Sequence, residues 1–198
     1  NGQAQLYTIN RTNGVASVVN VLPVMLSSGI QKIGFDFNPT VDRIRVIGDN
    51  DVNYRLHPET GALVATDGNL SYGSGDVNNG ANPSIGSVAY SNSYIGATST
   101  TLYNYDDALN IFTSQIPPNA GTLNTIGASG FNTSITDPSS DLDVYFDPAT
   151  LSNTAYFSAS VNGSTNQLYS INLTTGTSTL MGNIGVNSLV RDIAVRII

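Results

Sequence analysis

The chain contains no cysteine, and lysine, histidine and glutamate occur once each, as Lys32, His57 and Glu59. Without cysteine, neither a disulfide framework nor a cysteine-ligated metal site can form. Charged residues make up 11% of the chain, well under the roughly 25% of an average soluble domain. The net charge of −7 argues against nucleic-acid binding, which requires clustered lysines and arginines.

Long apolar runs are also missing. The longest, around residues 18–26, is interrupted by Asn20 and Pro23 and falls short of the ~20 residues that a membrane span needs. We therefore expect no membrane span. The abundance of Asn, Ser, Thr and Gly is typical of extracellular and cell-surface β proteins. Because position 1 is Asn, we expect an exported protein whose signal peptide has been removed.

Short alternating segments run along the whole chain. Alternation of apolar and polar residues is clearest in RIRVI (43–47), DVYF (143–146) and TAYFSAS (154–160). Turn sequences such as NPTVD, HPETG and LTTG separate these segments, and no stretch carries a sustained 3.6-residue stripe. The pattern predicts an all-β fold.

Two nearly identical phrases lie at opposite ends of the chain, QLYTINRTNG from Gln5 and QLYSINLTTG from Gln167. NYRLHPETGALV from Asn53 and TLYNYDDALNIF from Thr101 are related to them, and Leu6, Arg55, Leu102 and Leu168 then align. A further pair of strand-like segments precedes each of the last three copies. A four-stranded unit that recurs at about 40–50 residues has the period of a β-propeller blade.

The repeat predicts one propeller-like domain over residues 1–198, with about four blades of short antiparallel strands. The predicted units are residues 1–29 together with 188–198, then 30–83, 84–136 and 137–187. The first copy contains only the second half of a unit, and residues 188–198 resemble a first half. We therefore expect the two ends to pair and complete one blade. An open β-sandwich or a stacked meander is the alternative.

A family resemblance covers most of the chain. GFDFNPTVDRIRVIGDNDVNYRLHPETGALVATDG (34–68), QIPPNAGTLNTIG (115–127) and LYSINLTTGTSTLMGNIG near the end carry it. These segments resemble domain-of-unknown-function family 4394, which is found in exported bacterial proteins. The family pattern usually has Asn where this chain has His57. The resemblance implies export and a propeller-like repeat, and it implies no assigned activity.

Residues suited to catalysis are few. His57 lies in the turn sequence RLHPETG, and a Ser-His-Asp arrangement would need a nucleophile and an acid to converge on it. Glu59 lies in the same turn, where a carboxyl group is solvated and unsuited to be the raised-pKa acid of a glycosidase. We predict no catalytic residues, with a glycoside hydrolase as the weaker alternative.

One stretch resembles the beginning of a calcium loop. Asp49, Asp51 and Asn53 offer oxygens at positions i, i+2 and i+4, without the following Gly and the later bidentate acid of an EF-hand. A structural calcium ion at these residues is the one cofactor we consider, and ordinary loop hydrogen bonding is the alternative. A second acidic stretch offers the oxygens of Asp137, Asp141, Asp143 and Asp147.

Half of the arginines lie within thirteen residues, close in sequence to several aspartates. This pattern predicts a structural network of arginine and aspartate made by Asp36, Asp42, Arg43, Arg45 and Arg55. A patch that binds a carboxylate or phosphate ligand is the alternative.

The end of the chain suggests how the protein is used. Ile193, Val195 and Ile197 alternate onto one face, and an unpaired apolar strand of this kind is one that proteins avoid. We expect it to pair with the first unit, around 6–19, where Leu6, Tyr7 and Ile9 form the strand. Pairing within one chain gives a closed monomer, and pairing with the next chain gives a filament.

These observations predict a non-enzymatic structural or interaction protein, exported to the cell surface or the extracellular space. Self-assembly into filaments by exchange of the terminal strand is one form of this hypothesis. A monomeric propeller that binds a glycan or a protein ligand is the alternative.

Overall fold

A computed structural model describes residues 3–25, 32–134, 136, 139–161, 166–186 and 189–195. These residues contain fifteen β-strands and one short 3-10 turn (Pro118–Ala120), and none of them is α-helical. The predicted all-β class is confirmed. Within the same residues, no helix is long and apolar enough to cross a membrane.

The strands form four sheets that follow one another along the chain. The first pairs β1 (Gln3–Ile9) with β2 (Ala16–Met25). The second runs in chain order through β3 (Ile33–Asn38), β4 (Arg43–Gly48), β5 (Asn53–Leu56) and β6 (Leu63–Thr66).

The third sheet contains β7 (Ser71–Tyr72), β8 (Ile85–Tyr90), β9 (Leu102–Asp106), β10 (Ile111–Gln115) and β11 (Thr122–Ala128), in the order β7-β11-β10-β9-β8. The fourth contains β12 (Ser140–Asp147), β13 (Ser152–Ser160), β14 (Asn166–Ile171) and β15 (Ser178–Asn183), in chain order. All neighbouring strands are antiparallel except β7 and β11, which are parallel.

Local turn chemistry explains why the first two strands of two sheets fold alike. After β3, the Asn38 carboxamide oxygen accepts the N–H of Thr40, and Asp42 adopts a φ of +49°. After β12, the Asp147 carboxylate accepts the N–H of Ala149, and Leu151 adopts a φ of +54°. Both are turns in which an Asn or Asp side chain replaces a backbone acceptor.

One copy of the repeated phrase does not occupy the expected place. Arg55 and Leu168 lie on β5 and β14, the third strands of the antiparallel runs β3–β6 and β12–β15, whereas Leu102 lies on β9, the second strand of the antiparallel run β8–β11. The alignment of Leu102 with the other copies is therefore wrong by one strand. A strand followed by a polar turn can be either the second or the third strand of a meander, so the repeated phrase alone does not identify the position of the strand.

The opening strands of the three antiparallel runs, β3, β8 and β12, here called the first strands, lie side by side. The Asp36 carboxylate on β3 accepts the N–H of Tyr90 on β8, 54 residues further on. Gly34 lies against Val88, and Gly86 lies against Lys32, where a Cβ atom on Gly86 would come within 2.1 Å of the lysine Cβ. Because the partners advance together along both strands, β3 and β8 run parallel. The Ser87 hydroxyl on β8 then donates to the carbonyl of Ser140 on β12, 53 residues on.

Apolar side chains fill the spaces between consecutive sheets. Leu6 and Leu22 of the first sheet pack with Ile44, Val46 and Leu56 of the second. A second cluster joins the second and third sheets, with Ile47, Val88 and Tyr90 among its members. A third, which includes Tyr105, Phe112, Val144 and Phe157, joins the third and fourth. Each pair of consecutive sheets thus shares an apolar cluster.

The only lysine is buried where three sheets meet. Lys32 is 4% exposed, and its Nζ lies 2.6 Å from the Asp107 carboxylate. The same Nζ donates to the Ser140 hydroxyl at 3.1 Å and to the Ser134 carbonyl at 3.0 Å. Burial raises the pKa of Asp107, and the charge of Lys32 opposes that shift. The pair connects the start of β3, the turn after β9 and the start of β12.

Replacing Lys32 with Met should lower the free energy of unfolding by about 3–5 kcal/mol, because Asp107 would stay buried without its cation. Urea denaturation measures the change. Arg11→Met, in an exposed turn, is the matched control, with an expected change of about 0.5 kcal/mol or less. The double variant Lys32→Met/Asp107→Leu should recover much of the loss. A Lys32→Met protein as stable as the native one would contradict this role.

Candidate functional site

The C-terminal residues 189–195, here called the terminal segment, lie alongside β12. The Asp141 carboxylate accepts the N–H of Ile193 at 2.9 Å, and the Asp143 carboxylate accepts the N–H of Val195 at 2.5 Å. Asp141 and Asp143 are two residues apart on a strand and so share one face, which matches the two-residue spacing of Ile193 and Val195. The partners are 52 residues apart, close to the offset between the earlier first strands.

Asn166, at the start of β14, holds the other end of the terminal segment. Its carboxamide oxygen accepts the N–H of Val190 at 3.0 Å, and its amide nitrogen donates to the Val190 carbonyl at 3.4 Å and to the Ser139 carbonyl at 3.1 Å. Asn166 is 2% exposed. Asp141, Asp143 and Asn166, here called the clamp, therefore bind the terminal segment by its backbone.

The clamp differs from a sheet ladder. The terminal segment has no strand pairing within the residues that the structure describes. The hydrogen bonds of the clamp to Val190, Ile193 and Val195 join a side chain to a backbone atom, and one side-chain hydrogen bond, between Asp141 and Asp192, adds to them. The contacts to backbone atoms favour an extended backbone in the terminal segment and depend little on the identity of its side chains.

Carboxyl groups gather where the first strands meet. Burial, together with the hydrogen bond and charge of Asp192, raises the pKa of Asp141 to about 9 against the opposing hydrogen bond from Ile193. Burial also raises the pKa of Asp143, and it raises that of Asp36 to about 7. The charges of Asp143 and Asp192 add to the shift at Asp36. These groups retain protons that exposed aspartates would have lost.

The strand-pairing residues predicted from the sequence do not meet. Ile193 and Val195 bind β12, and Ile197 lies outside the described residues. Leu6 is buried against the second sheet, whereas Tyr7 and Ile9 are 44% and 66% exposed. No hydrogen bond joins β1 to the terminal segment within the described part of the chain. The physical reason is that β1 resembles β14, which is the third strand of its sheet. A second strand would therefore have to lie between β1 and the terminal segment.

The arginines of the predicted network have a different carboxylate partner. Arg45 is 1% exposed, and its Nη1 lies 2.6 Å from Asp67. Arg55 binds both oxygens of Asp67, at 2.7 and 2.9 Å. Burial acts to raise the pKa of Asp67, but hydrogen bonds from Arg55 and Arg45 hold it below its usual range. The hairpin of β5 and β6 brings Asp67 beside Asn53. The register of this hairpin, worked out from the sequence, could have identified Asp67 as the partner.

The other three members of the predicted network form no ion pair within this cluster in the described residues, although Asp36 lies opposite Arg45 in the ladder of β3 and β4. Asp36 accepts backbone N–H groups from Tyr90 and Phe37. The Arg43 guanidinium donates to the backbone carbonyls of Val41 and Asp42. The network is therefore built on Asp67, with Asp36, Asp42 and Arg43 outside it.

The three residues considered for calcium face different partners. The Asn53 carboxamide oxygen accepts the Arg45 guanidinium at 2.7 Å, so a cation already occupies that oxygen. Asp49 accepts the N–H of Lys32. Asp51 has one buried carboxylate oxygen without a hydrogen-bond partner, and burial, with the charges of Asp106 and Asp49, raises its pKa. A calcium ion at Asp49, Asp51 and Asn53 stays a prediction, and it would require the Asn53 oxygen to exchange the Arg45 guanidinium for the ion.

The two residues weighed for catalysis belong to one turn. The His57 Nδ1 accepts the N–H of Glu59 at 3.3 Å, and the His57 N–H donates to the carbonyl of Ala62. Glu59 is exposed. The histidine is therefore used to shape the turn between β5 and β6.

An open groove lies at the end of the first strands. It encloses about 330 Å³ and is lined by Phe37, Asn38, Pro39, Asp42, Ser93, Tyr94 and Ile95. Phe37 and Tyr94 are 49% and 42% exposed. The Tyr94 ring stacks on Phe146, with centroids 4.4 Å apart, which holds Tyr94 in place. The groove thus presents aromatic rings next to amide, hydroxyl and carboxyl groups.

The raised pKa values predict how stability depends on pH. Between the unfolded aspartate pKa of about 3.9 and the folded pKa of about 9 for Asp141, the folded state binds more protons than the unfolded one. The free energy of unfolding should therefore fall as pH rises through this range, with Asp36 contributing up to about pH 7. Thermal denaturation between pH 5 and pH 9 measures it.

Asp192→Asn should flatten the alkaline part of this fall, because it removes the charge beside Asp141. Asp42→Asn, at an exposed turn position whose positive φ suits asparagine, is the matched control and should leave the slope unchanged. A stability that rises steadily from pH 5 to pH 9 would contradict the assignment.

The comparisons with known proteins support one family. The model of the family described as "Domain of unknown function (DUF4394)" matches residues 1–194, nearly the whole chain. No curated protein and no solved structure matches the chain. The resemblance carried by the segments at 34–68 and 115–127 is confirmed, and the chain belongs to the DUF4394 family.

Proposed function

We propose that this protein is a non-enzymatic structural protein of the cell surface or extracellular space, and that it self-associates by exchanging its terminal segment. The observation that carries the proposal is the clamp, which holds residues 189–195 through side-chain contacts to their backbone. A segment held in this way has no sheet ladder to break when it leaves.

A propeller-like arrangement of about four blades is part of the proposal. Two observations support it. The contacts between successive first strands are 54, 53 and 52 residues apart, so each unit is placed on the previous one in nearly the same way. The charges of Asp143 and Asp192 affect the pKa of Asp36, so these carboxyl groups of β3, β12 and the terminal segment lie near one another, as they would if the first strands surrounded a common axis. Such an axis is what blades surround.

Exchange between molecules follows from the chemistry of the clamp. Because the clamp binds backbone atoms, it can hold the terminal segment of its own chain or that of a neighbour equally well. Binding within one chain gives a monomer. Binding between chains is heterologous and builds a filament unless the rotation closes a ring.

Composition and the turn residues support the non-enzymatic and exported parts of the proposal. The backbone N–H of Glu59 donates to the His57 imidazole in a turn. With 11% charged residues, the chain has the polar, uncharged surface that favours an extracellular setting.

The clamp provides the test of exchange. Asp141→Ala/Asp143→Ala should shift the protein from oligomers or filaments to monomers, measured by light scattering and electron microscopy, because two of the segment's anchors are lost. Asp141→Asn/Asp143→Asn is the matched control. It keeps an acceptor oxygen at each position and should still assemble. Circular dichroism checks that the variants are folded. If the alanine and native proteins assemble equally, or the native protein is monomeric at every concentration, exchange is wrong.

The groove at Phe37 and Tyr94 favours a second candidate, a glycan-binding module. Exposed aromatic faces beside a few polar groups are characteristic of small-ligand sites. Neutral oligosaccharides should alter the tyrosine fluorescence, which no tryptophan obscures in this chain. Tyr94→Ala should weaken binding at least about tenfold, and Tyr7→Ala, an exposed tyrosine outside the groove, should not. Equal binding by both variants, or no binding by the native protein, would remove this candidate.

A further inference from the structure

The amine of Lys32 and the carboxyl group of Asp107 are held in contact inside the protein. The lysine Nζ lies 2.6 Å from Asp107 Oδ1, and the two side chains are 1% and 0% exposed. Because Cγ is bonded to Oδ1, Nζ also lies close to Cγ, near the roughly 3–3.5 Å that separates two atoms poised to react. An amine and a carboxyl group in this position can condense to an amide with loss of water.

The two carboxylate oxygens of Asp107 have different surroundings. Oδ1 contacts Nζ and accepts hydrogen bonds from the hydroxyl groups of Thr133 at 2.8 Å and Ser140 at 3.3 Å. Oδ2 is buried and has no hydrogen-bond partner within the described residues. A buried oxygen without a partner is costly, and the ion pair keeps this cost. Condensation removes one carboxylate oxygen, and Oδ2 is the one that the site does not use.

The other groups around the pair match the amide that would form. Its carbonyl oxygen, Oδ1, would keep the Thr133 and Ser140 hydroxyls as donors. Its N–H would keep the Ser134 carbonyl, which lies 3.0 Å from Nζ. The two buried charges would disappear, and buried charges are expensive even when they are paired. The site therefore satisfies both polar atoms of the amide, whereas it leaves one oxygen of the ion pair unsatisfied.

The surroundings of the pair exclude solvent. Gly86 packs so closely against the lysine stem that a Cβ atom there would come within 2.1 Å of the lysine Cβ. Burial raises the pKa of Asp107, against the opposing effect of the Lys32 charge. Burial thus favours the neutral acid, which is the form that condenses with an amine. Exclusion of water also protects an amide from hydrolysis.

We propose that Lys32 and Asp107 condense into an intramolecular amide bond, which cross-links the start of β3 to the turn after β9. The ion pair is the precursor of this bond. The cross-link lies within one molecule and involves neither the clamp nor the groove, so the proposal goes beyond the exchange of the terminal segment and does not depend on it.

The atoms of the reaction are all supplied by the two side chains. One ammonium proton passes to the Asp107 carboxylate. The Nζ lone pair then attacks Cγ, and the N–C bond forms while negative charge collects on Oδ1, where the Thr133 and Ser140 hydroxyls stabilise it. Nζ loses a second proton, the C–Oδ2 bond breaks, and Oδ2 leaves as water carrying both protons. The Ser140 hydroxyl also accepts a hydrogen bond from Nζ at 3.1 Å, which orients the amine.

Intact mass spectrometry of the native protein tests the bond without any substitution. The mass should be lower than that of the unmodified sequence by about 18 Da, the mass of one water. Proteolysis should yield a branched peptide that joins Lys32 to Asp107. An unmodified mass would overturn the proposal, and so would a loss of water that maps to any other residue.

Amine labelling in denaturant gives a second measurement, because Lys32 is the only lysine in the chain. Lys32 should stay unlabelled when the chain is unfolded, since an amide nitrogen does not react with amine reagents. Arg11→Lys, in an exposed turn, is the matched control, and its introduced lysine should be labelled fully. Labelling of Lys32 to the same extent would contradict the cross-link.

Thermal denaturation of Lys32→Met/Asp107→Leu separates a cross-link from an ion pair. Replacing a buried ion pair with apolar side chains is often neutral or stabilising. Loss of a cross-link that closes a loop of about 75 residues should instead lower the Tm by roughly 10 °C. A Tm at or above the native value would overturn the proposal.

Ser140→Ala tests the reaction itself, because it removes a donor to Oδ1 and leaves both reacting groups in place. Condensation should be slowed at least about tenfold, measured as the cross-linked fraction at fixed times after synthesis. Ser99→Ala, at an exposed serine, is the matched control and should condense like the native protein. Condensation of Ser140→Ala at the native rate would show the proposed step to be wrong.

Discussion

The buried ion pair of Lys32 and Asp107 is the interaction on which the arrangement of the sheets depends. Its two residues come from the start of β3 and the turn after β9, and its lysine also reaches Ser140 at the start of β12. A buried charge without its partner is strongly destabilising, so the three sheets must keep the positions that bring these groups together. The absence of a side chain at Gly86 gives the lysine its room.

Carboxylates perform a related task at the inner edges of the sheets. The first strand of a sheet has backbone N–H groups that no ladder satisfies, and Asp36, Asp141 and Asp143 accept them from the following strand. The burial that makes these bonds effective also raises the pKa values of the acids. We therefore expect the strength of these contacts to depend on pH. We expect it to depend little on the side chains of the segment that donates the N–H groups.

The small number of charges has consequences inside and outside the molecule. Lys32 and Arg45, two of the seven basic residues, are buried in ion pairs with Asp107 and Asp67. Few charged residues then remain to protect the strand edges from pairing, and β1 and β2 contain none. A composition typical of surface proteins thus coexists with unprotected edges and with an exposed apolar row at Ile33, Phe35 and Phe37.

Alternation and turn chemistry are encoded within a few neighbouring residues, and for that reason the all-β class, the turns at 39–42 and 148–151 and the likeness of β1 to β14 could be predicted from the sequence. The sequence also indicated that Arg45 and Arg55 are structural, but not that Asp67 is their partner. Tertiary structure alone decided that Lys32 meets Asp107, that Asp141 and Asp143 bind backbone, and that Leu102 lies on a second strand. These partners lie on different sheets or depend on register, and a shift of one residue would turn every side chain of a strand to the opposite face.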